Sequence, residues 1–269
     1  MHNRCQTTLN FVQCLKRQIY QDFHLVLIDD GSVDGTAQMV REQFEDLTVI
    51  QGDGHWWWAG SLQQGYRWLL ENAAVSERDA VLIINDDTEF ADDFLAIGMR
   101  ALARHCESLV LATCYSRQTG RIFDAGVRVD WSRYSFQQAE SPEAINCLST
   151  RGLFLTVGDF RRIGGFYPLL LPHYLSDYEF TVRAKRKGKK LLVDADLKLW
   201  VDESMTGYRE YFKDPFWLGV RKLFSKRCLR NPLARSAFIA LACPWRWKLI
   251  CFLRVWFRTG REIMTLLKN

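Results

Sequence analysis

Phe23-His24-Leu25-Val26-Leu27-Ile28-Asp29-Asp30-Gly31-Ser32-Val33-Asp34-Gly35-Thr36 is the stretch that decides the fold of this chain. Residues 23–28 read as a buried strand, which stops at two adjacent carboxylates. Gly31 and Gly35 permit tight backbone turns, and Asp34 or Thr36 can cap a helix running to about Phe44. Outward from this unit the pattern repeats. Residues 47–50 read as a strand and 60–70 as a helix. Residues 80–84 form an apolar run too short for a helix, ending at Asn85-Asp86-Asp87. Upstream, Leu9, Val12, Leu15 and Ile19 recur at helical spacing behind the possible caps Thr7 and Thr8. Apolar strands alternating with helices predict an α/β fold with a mainly parallel sheet, covered on both faces. Ligands of such sheets bind beyond the carboxyl ends of the strands, where both acidic turns lie.

Further along, residues 109–113, 152–157, 191–193 and 197–201 read as strands, and 177–187 as a helix closed by Gly188. The chain has 269 residues, 48% hydrophobic and 25% charged, which fits a folded protein and excludes a disordered one. Its eight cysteines form no CxxC pair and read as reduced, mostly buried small hydrophobes of a cytosolic protein. Polar residues follow Met1 at once, so no signal peptide is expected. The net charge of +5 is uneven. Residues 209–269 hold 14 Lys and Arg against 3 Asp and Glu, a net of +11, which leaves −6 for residues 1–208. This shift divides the chain into a catalytic domain, 1–208, and a basic, aromatic-rich helical extension, 209–269.

Three acidic segments carry chemistry, and each also has a plainer reading. The octet from Asp29 to Thr36 places a double acid where a base or ribose would be hydrogen-bonded; alternatively it is a capped turn. Asp86 and Asp87 repel, so they need a cation or donors, and hard oxygen ligands suit Mg²⁺ or Mn²⁺ beside substrate phosphates. Alternatively they form a solvated loop. Asp177 opens a helix whose dipole would keep it ionised, and an ionised carboxylate facing a cleft can take a proton from a hydroxyl. The plainer reading is a helix-start acid, and Glu179 would face outward or pair with Arg183.

Together the segments resemble the family 2 glycosyltransferases of the GT-A fold. The resemblance spans about residues 2–207. It rests on His2-Asn3-Arg4, the Asp29–Thr36 octet, the segment GHWWWAGSLQQG at 54–65, Asn85-Asp86-Asp87, Arg151-Gly152, Gly164-Gly165-Phe166 and LPHYLSDYEF at 171–180. The last is similar to the version in rhamnosyltransferase-like members. The resemblance implies an inverting, metal-dependent enzyme that moves a sugar from a nucleotide-diphosphate sugar (dTDP-rhamnose or a UDP-sugar) to an acceptor hydroxyl. It implies Asp29 and Asp30 at the base, Asp86 at the ribose, and Trp58 and Gly60 also on the donor side. It further implies Asp87 at an Mg²⁺ or Mn²⁺ ion and Asp177 as general base. Where many members supply a histidine as a further metal ligand, this chain offers Asp202, a suitable oxygen ligand or else a plain loop acid. Trp56, Trp57 and Trp58 are expected to divide between core and site, with His55 and His173 as structural or acceptor contacts.

One departure has a structural consequence. The family places an apolar strand before the His2-Asn3-Arg4 segment, whereas only Met1 precedes it here. The start is then misassigned or the chain truncated, and both neighbouring strands would show open edges. That departure motivates an alternative, a non-catalytic sugar-nucleotide or glycan-binding relic of the same fold. A nucleotidyltransferase ranks last, because its glycine-rich, Arg- and Lys-bearing N-terminal loop is absent. In the extension, aromatics interleave with Arg and Lys. Its longest uncharged run, 236–245, is too short to span a bilayer. Such a segment fits an anionic membrane surface better than nucleic acid, since nothing matches a nucleic-acid module. A peripheral place on the inner face of the plasma membrane, with a glycan or lipid-linked acceptor in cell-surface glycan synthesis, follows as the expectation.

Overall fold

A computed structural model describes residues 1–203 and 215–268. Its spine is strand β5 (Ser108–Ser116), buried at eight of nine positions. Successive side chains of a strand point to opposite faces. Val110, Ala112 and Cys114 therefore join one core with Phe11, Phe94 and Phe154, while Leu109 and Leu111 join another with Phe160, Ile163 and Phe180. Both faces are covered, as a continuous apolar strand requires.

In chain order the remaining elements are α1 (Cys5–Lys16), β1 (Leu25–Asp29), α2 (Thr36–Arg41), β2 (Leu47–Gln51), α3 (Trp57–Glu71), β3 (Ala80–Ile83), β4 (Thr88–Phe90) and α4 (Phe94–Arg104). After β5 come β6 (Ile122–Asp124), β7 (Val127–Asp130), β8 (Ser135–Gln138), β9 (Leu153–Thr156), α5 (Val157–Ile163), α6 (Ser176–Arg186) and β10 (Lys190–Val201). The two short strands expected at 191–193 and 197–201 are one strand, interrupted by an irregularity between Asp194 and Lys198.

The expected α/β architecture holds, but the sheet is mixed rather than mainly parallel. Among the described residues only β1–β2 and β5–β10 pair in parallel, whereas β3–β9, β5–β9, β4–β10 and β5–β6 are antiparallel. The cause is β9. It returns from the β7–β8 hairpin and enters between β3 and β5 running the opposite way, a non-local pairing that strand composition does not report.

β1 and β2 form their own two-stranded sheet, separate from the β3-β9-β5-β10-β4 sheet. Met1 occupies the β1 edge: its ammonium group donates to the Ile28 carbonyl at 2.8 Å, and the Asp30 N–H donates to the Met1 carbonyl at 3.0 Å.

The expected boundary near residue 208 falls outside the described residues. Beyond it lie α7 (Phe216–Leu223), α8 (Pro232–Ala242) and α9 (Trp245–Lys268). Phe238, Ile239, Ala242, Cys251 and Val255 of these helices share one core with Val127 and Val129 of β7, Tyr134, and Leu175 and Val182 around α6. Arg186 of α6 donates to the Leu241 carbonyl at 2.7 Å, and Arg258 to the Tyr134 carbonyl at 3.3 Å. The extension thus buttresses the helix that carries Asp177. Among the described residues no helix is long and apolar enough to cross a membrane.

Candidate active site

The β1 turn is built by its own carboxylates. Asp29 is fully buried; its Oδ1 accepts the Ser32 N–H at 2.9 Å and its Oδ2 has no partner. Asp30 accepts the N–H groups of Gly54 (2.9 Å) and Trp56 (3.2 Å) on Oδ1 and that of Trp57 (3.0 Å) on Oδ2. Its carboxylate therefore fastens the tryptophan loop, a job that local sequence does not announce. Gly31, at φ +74°, is needed there, since a Cβ would stand 2.6 Å from the Gly54 nitrogen. Trp56 is the inward anchor: a Cβ on Gly52 or Gly60 would strike its side chain at 2.7 or 2.9 Å. Gly60 is buried and serves this close packing. Trp57, held at φ +59°, and Trp58 are half-buried at the start of α3.

At the end of β3, Arg4 Nη1 lies 3.1 Å from Asp86 and 3.3 Å from Asp87, and the Thr8 hydroxyl donates to Asp86 at 2.9 Å. Burial works against the Arg4 charge, but the two carboxylates outweigh it and raise its pKa. The repulsion expected between the acids is thus partly offset by a guanidinium from the other end of the domain. Asp87 Oδ1 and Asn85 Oδ1 remain buried without partners. Asp202 accepts from Gln118 and follows the last pair of the β4–β10 ladder, Thr88–Val201. Among the described residues no three His, Cys, Asp or Glu side chains converge as a metal centre. The set nevertheless fits Mg²⁺ or Mn²⁺, which takes one or two protein carboxylates and completes its shell with water and phosphate oxygens. The free, buried Asp87 oxygen is the position such an ion would use.

Asp177 stands in the first turn of α6, behind Leu175 in the left-handed region at φ +68°. Its Oδ1 accepts the Tyr178 N–H at 2.9 Å. The dipole does not dominate, contrary to expectation. Burial raises the Asp177 pKa to about 6, aided by the nearby Asp124 and opposed by the Tyr178 N–H and Arg151. A carboxyl poised there is mostly ionised at pH 7 yet basic enough to accept a proton. Glu179 is not in the cleft: it is buried in a two-pronged pair with Arg183, both contacts 2.9 Å. Arg183 also donates to the carbonyls of Ile163, Gly164 and Gly165, locking the Gly164-Gly165-Phe166 turn to α6.

Asp124 and Arg151 complete the neighbourhood. Cys114, its pKa pushed up to about 12 by burial, also senses Arg151, Asp124 and Asp87. Asp124 and Arg151 thus lie within electrostatic reach of both Cys114 and Asp177. Sequence reading gave Asp124 no role; a three-residue strand with an exposed Ile-Phe pair carries no local signal for one.

The raised Asp177 pKa has a stability consequence. The folded value, about 6, lies above the ordinary 3.8, so the folded chain holds the extra proton and loses stability as pH rises through that interval. Asp177→Asn is therefore expected to gain stability over wild type between pH 5 and pH 8, by about 1.4 kcal/mol, because only the last unit of that interval lies above pH 5. Urea unfolding at both pH values checks this; an unchanged difference would show that the carboxyl is not desolvated.

A family model described as glycosyl transferase family 2 matches residues 1–154. Among solved structures, TarS of S. aureus aligns over 99% of this chain at 16% identity with a TM-score of 0.60. This chain spans about half of it, 52%. A 1–349 form of TarS in complex with UDP-GlcNAc aligns over 99% of this chain and 87% of its own, at 14% identity and a TM-score of 0.63. The mannosyltransferase PcManGT from Pyrobaculum calidifontis, in complex with GDP-Man and Mn²⁺, aligns over all of this chain and 76% of its own, at 19% identity and a TM-score of 0.57. At these identities the likeness is one of fold, the GT-A fold. No curated protein matches the chain in sequence. With more than half of its length matched by the family model, and the acidic turns of β1 and β3 inside that match, the chain belongs to glycosyl transferase family 2.

Proposed function

We propose that this protein is an inverting glycosyltransferase that moves a sugar from a nucleotide-diphosphate sugar to an acceptor hydroxyl. One observation carries the reading. Eight buried side-chain polar atoms lack a hydrogen-bond partner among the described residues, and six lie on the crevice segments: Asp29 Oδ2, Asn85 Oδ1, Asp87 Oδ1, Thr150 Oγ1, Arg151 Nε and His173 Nδ1. Unpaired buried groups are costly and rare, so their concentration on these segments supports a ligand that completes them. The GT-A likeness supports a nucleotide sugar as that ligand, dTDP-rhamnose or a UDP-sugar.

In this reading the β1 turn and the tryptophan loop receive the nucleoside, with Asp29 Oδ2 the free acceptor and Asp30 holding the loop in shape. Asp86 would face the ribose, and Asp87, with Asp202 as a further oxygen ligand, would hold Mg²⁺ or Mn²⁺, which when bound would offset the charge of the departing diphosphate. Asp177 takes the acceptor hydroxyl proton as the acceptor oxygen bonds to the anomeric carbon and the bond to the diphosphate oxygen breaks. Attack from the side opposite the leaving group inverts the configuration, and no covalent enzyme intermediate forms. A screen of nucleotide sugars with Mn²⁺ or Mg²⁺, read as nucleoside diphosphate release, tests this. Tight donor binding with no release across acceptors would identify a binding relic instead, and no binding at all would overturn both readings.

The extension supports a second part of the proposal, attachment to an anionic membrane beside a lipid-linked or glycan acceptor in cell-surface glycan synthesis. Helix α9 buries Cys251, Val255, Thr259 and Leu266 against the domain. Its opposite face exposes Trp245 (87%), Leu249 (71%), Leu253, Trp256, Phe257 (69%), Met264 and Leu267. Arg258 and Arg261 are exposed along one flank, and the only acid on the helix, Glu262, pairs with Arg230. An apolar stripe bordered by arginines suits a helix lying in the interface plane of the inner leaflet. Removing the extension would strip the core it shares with α6, so the test uses outward residues. Leu253→Glu/Trp256→Glu is expected to lower co-sedimentation with phosphatidylglycerol vesicles at least tenfold, and wild-type binding to weaken with salt. Binding indifferent to salt, lipid charge and these changes would exclude the surface.

A further inference from the structure

The extension also reaches into the site itself. Between α7 and α8 the chain turns through residues 224–231. That turn brings Lys226 Nζ to 5.8 Å and Arg227 Cζ to 5.4 Å from the centre of the Trp57 ring. The presentation is built rather than incidental. Buried Asn231 donates to the carbonyls of Phe224 and Ser225, both at 3.0 Å, while its Oδ1 accepts the Leu233 and Ala234 N–H groups that start α8. Cys228 and Leu223 anchor the turn in a small core of their own.

The target is equally fixed. Trp57 hangs from Asp30 Oδ2 through its N–H. His173 packs edge-on against its ring at 5.9 Å, and His173 Nδ1 is buried with no partner. Burial and Arg227 both lower the His173 pKa, so the imidazole is neutral at pH 7 and able to donate one hydrogen bond. Among the described residues neither Lys226 nor Arg227 meets a carboxylate. Two neighbouring cations converging on one ring repel each other, and the pull of the ring is worth only about 0.5–1 kcal/mol at an exposed site. An anion between them removes the repulsion and meets two charge-assisted donors and the imidazole.

We infer that Lys226, Arg227 and His173 form a phosphate-binding subsite on Trp57, contributed to the catalytic domain by its C-terminal extension. The inference rests on the glycosyltransferase reading and deepens it. Trp57 belongs to the loop tied to the β1 turn, and His173 lies four residues before Asp177, so the subsite joins that loop to the segment leading into α6. Its phosphate comes either from the donor diphosphate or from a phosphate on the acceptor.

Calorimetry with Lys226→Gln/Arg227→Gln distinguishes the sources, using UDP with Mn²⁺ as one probe and farnesyl diphosphate as the other. Both residues are exposed, and an unchanged melting temperature confirms the fold. Affinity for at least one probe is expected to fall tenfold or more, with Arg227→Lys retaining most of it. Loss for UDP assigns the donor diphosphate, loss for farnesyl diphosphate an acceptor phosphate, and loss for both a subsite that serves either. If wild type binds UDP and the double variant binds both probes within twofold of wild type, the inference falls while the enzyme reading stands. If wild type binds no nucleotide, the enzyme reading fails, and inorganic pyrophosphate then decides the subsite by the same comparison.

Discussion

Asp177→Asn is expected to lower turnover by roughly a hundredfold or more while leaving donor affinity near its wild-type value. The amide keeps the shape and still accepts the Tyr178 N–H, but it cannot take a proton from the acceptor hydroxyl. In the proposed reading the nucleotide and cation contacts lie on the β1 and β3 turns, so binding and chemistry should separate at this position. The pH profile provides a second reading. A base with a pKa of about 6 gives a rate that rises as pH passes through that value and then levels, and the variant should lose this limb. Glu179→Gln is the control from the same helix turn. Glu179 is committed to Arg183, which in turn holds the carbonyls of Ile163, Gly164 and Gly165. Its loss should therefore appear as a lower melting temperature before it appears in turnover. Near-normal turnover in Asp177→Asn would place the base elsewhere.

Asp87→Ala is expected to remove the dependence of donor binding on Mn²⁺, with affinity falling by an order of magnitude or more. The reason is the buried, partnerless Oδ1, the one oxygen of the acidic pair that neither Arg4 nor Thr8 occupies. Fold should survive, because Arg4 retains Asp86 as a partner. Calorimetry of UDP binding with Mn²⁺ and with EDTA checks both points. The structure also supplies a rival for the cation's role, since Arg4 already offsets the charge of the pair. If wild-type affinity is the same in Mn²⁺ and in EDTA, Arg4 is the only cation the pair needs, and the metal assignment fails.

The dual use of the extension bears on how such variants are chosen. Its inner face shares a core with β7, β8 and α6, its outer face is apolar and basic, and its α7–α8 turn rests on Trp57. A truncation would perturb all three at once. Single outward-facing residues separate them.

The sequence by itself determined the elements and the acids they carry. β1, β3 and α6 were legible because period-2 and period-3.6 patterns, and the turn residues that stop them, are properties of a few consecutive residues. Placing Asp29, Asp30, Asp86 and Asp87 at strand ends needed no more than that, and the motif resemblance then gave the family. What the local pattern could not carry was decided by pairing across distance. Arg4 meets Asp86 and Asp87 across 82 and 83 residues, and Asp30 spends its oxygens on amides 24 to 27 residues away. β9 runs against β3 and β5 because of where the hairpin delivers it, and that direction leaves no mark on its composition. The Asp177 charge was misjudged for the same reason. A helix start is visible in sequence and favours the anion, whereas the burial that outweighs it is imposed by neighbours the sequence does not place.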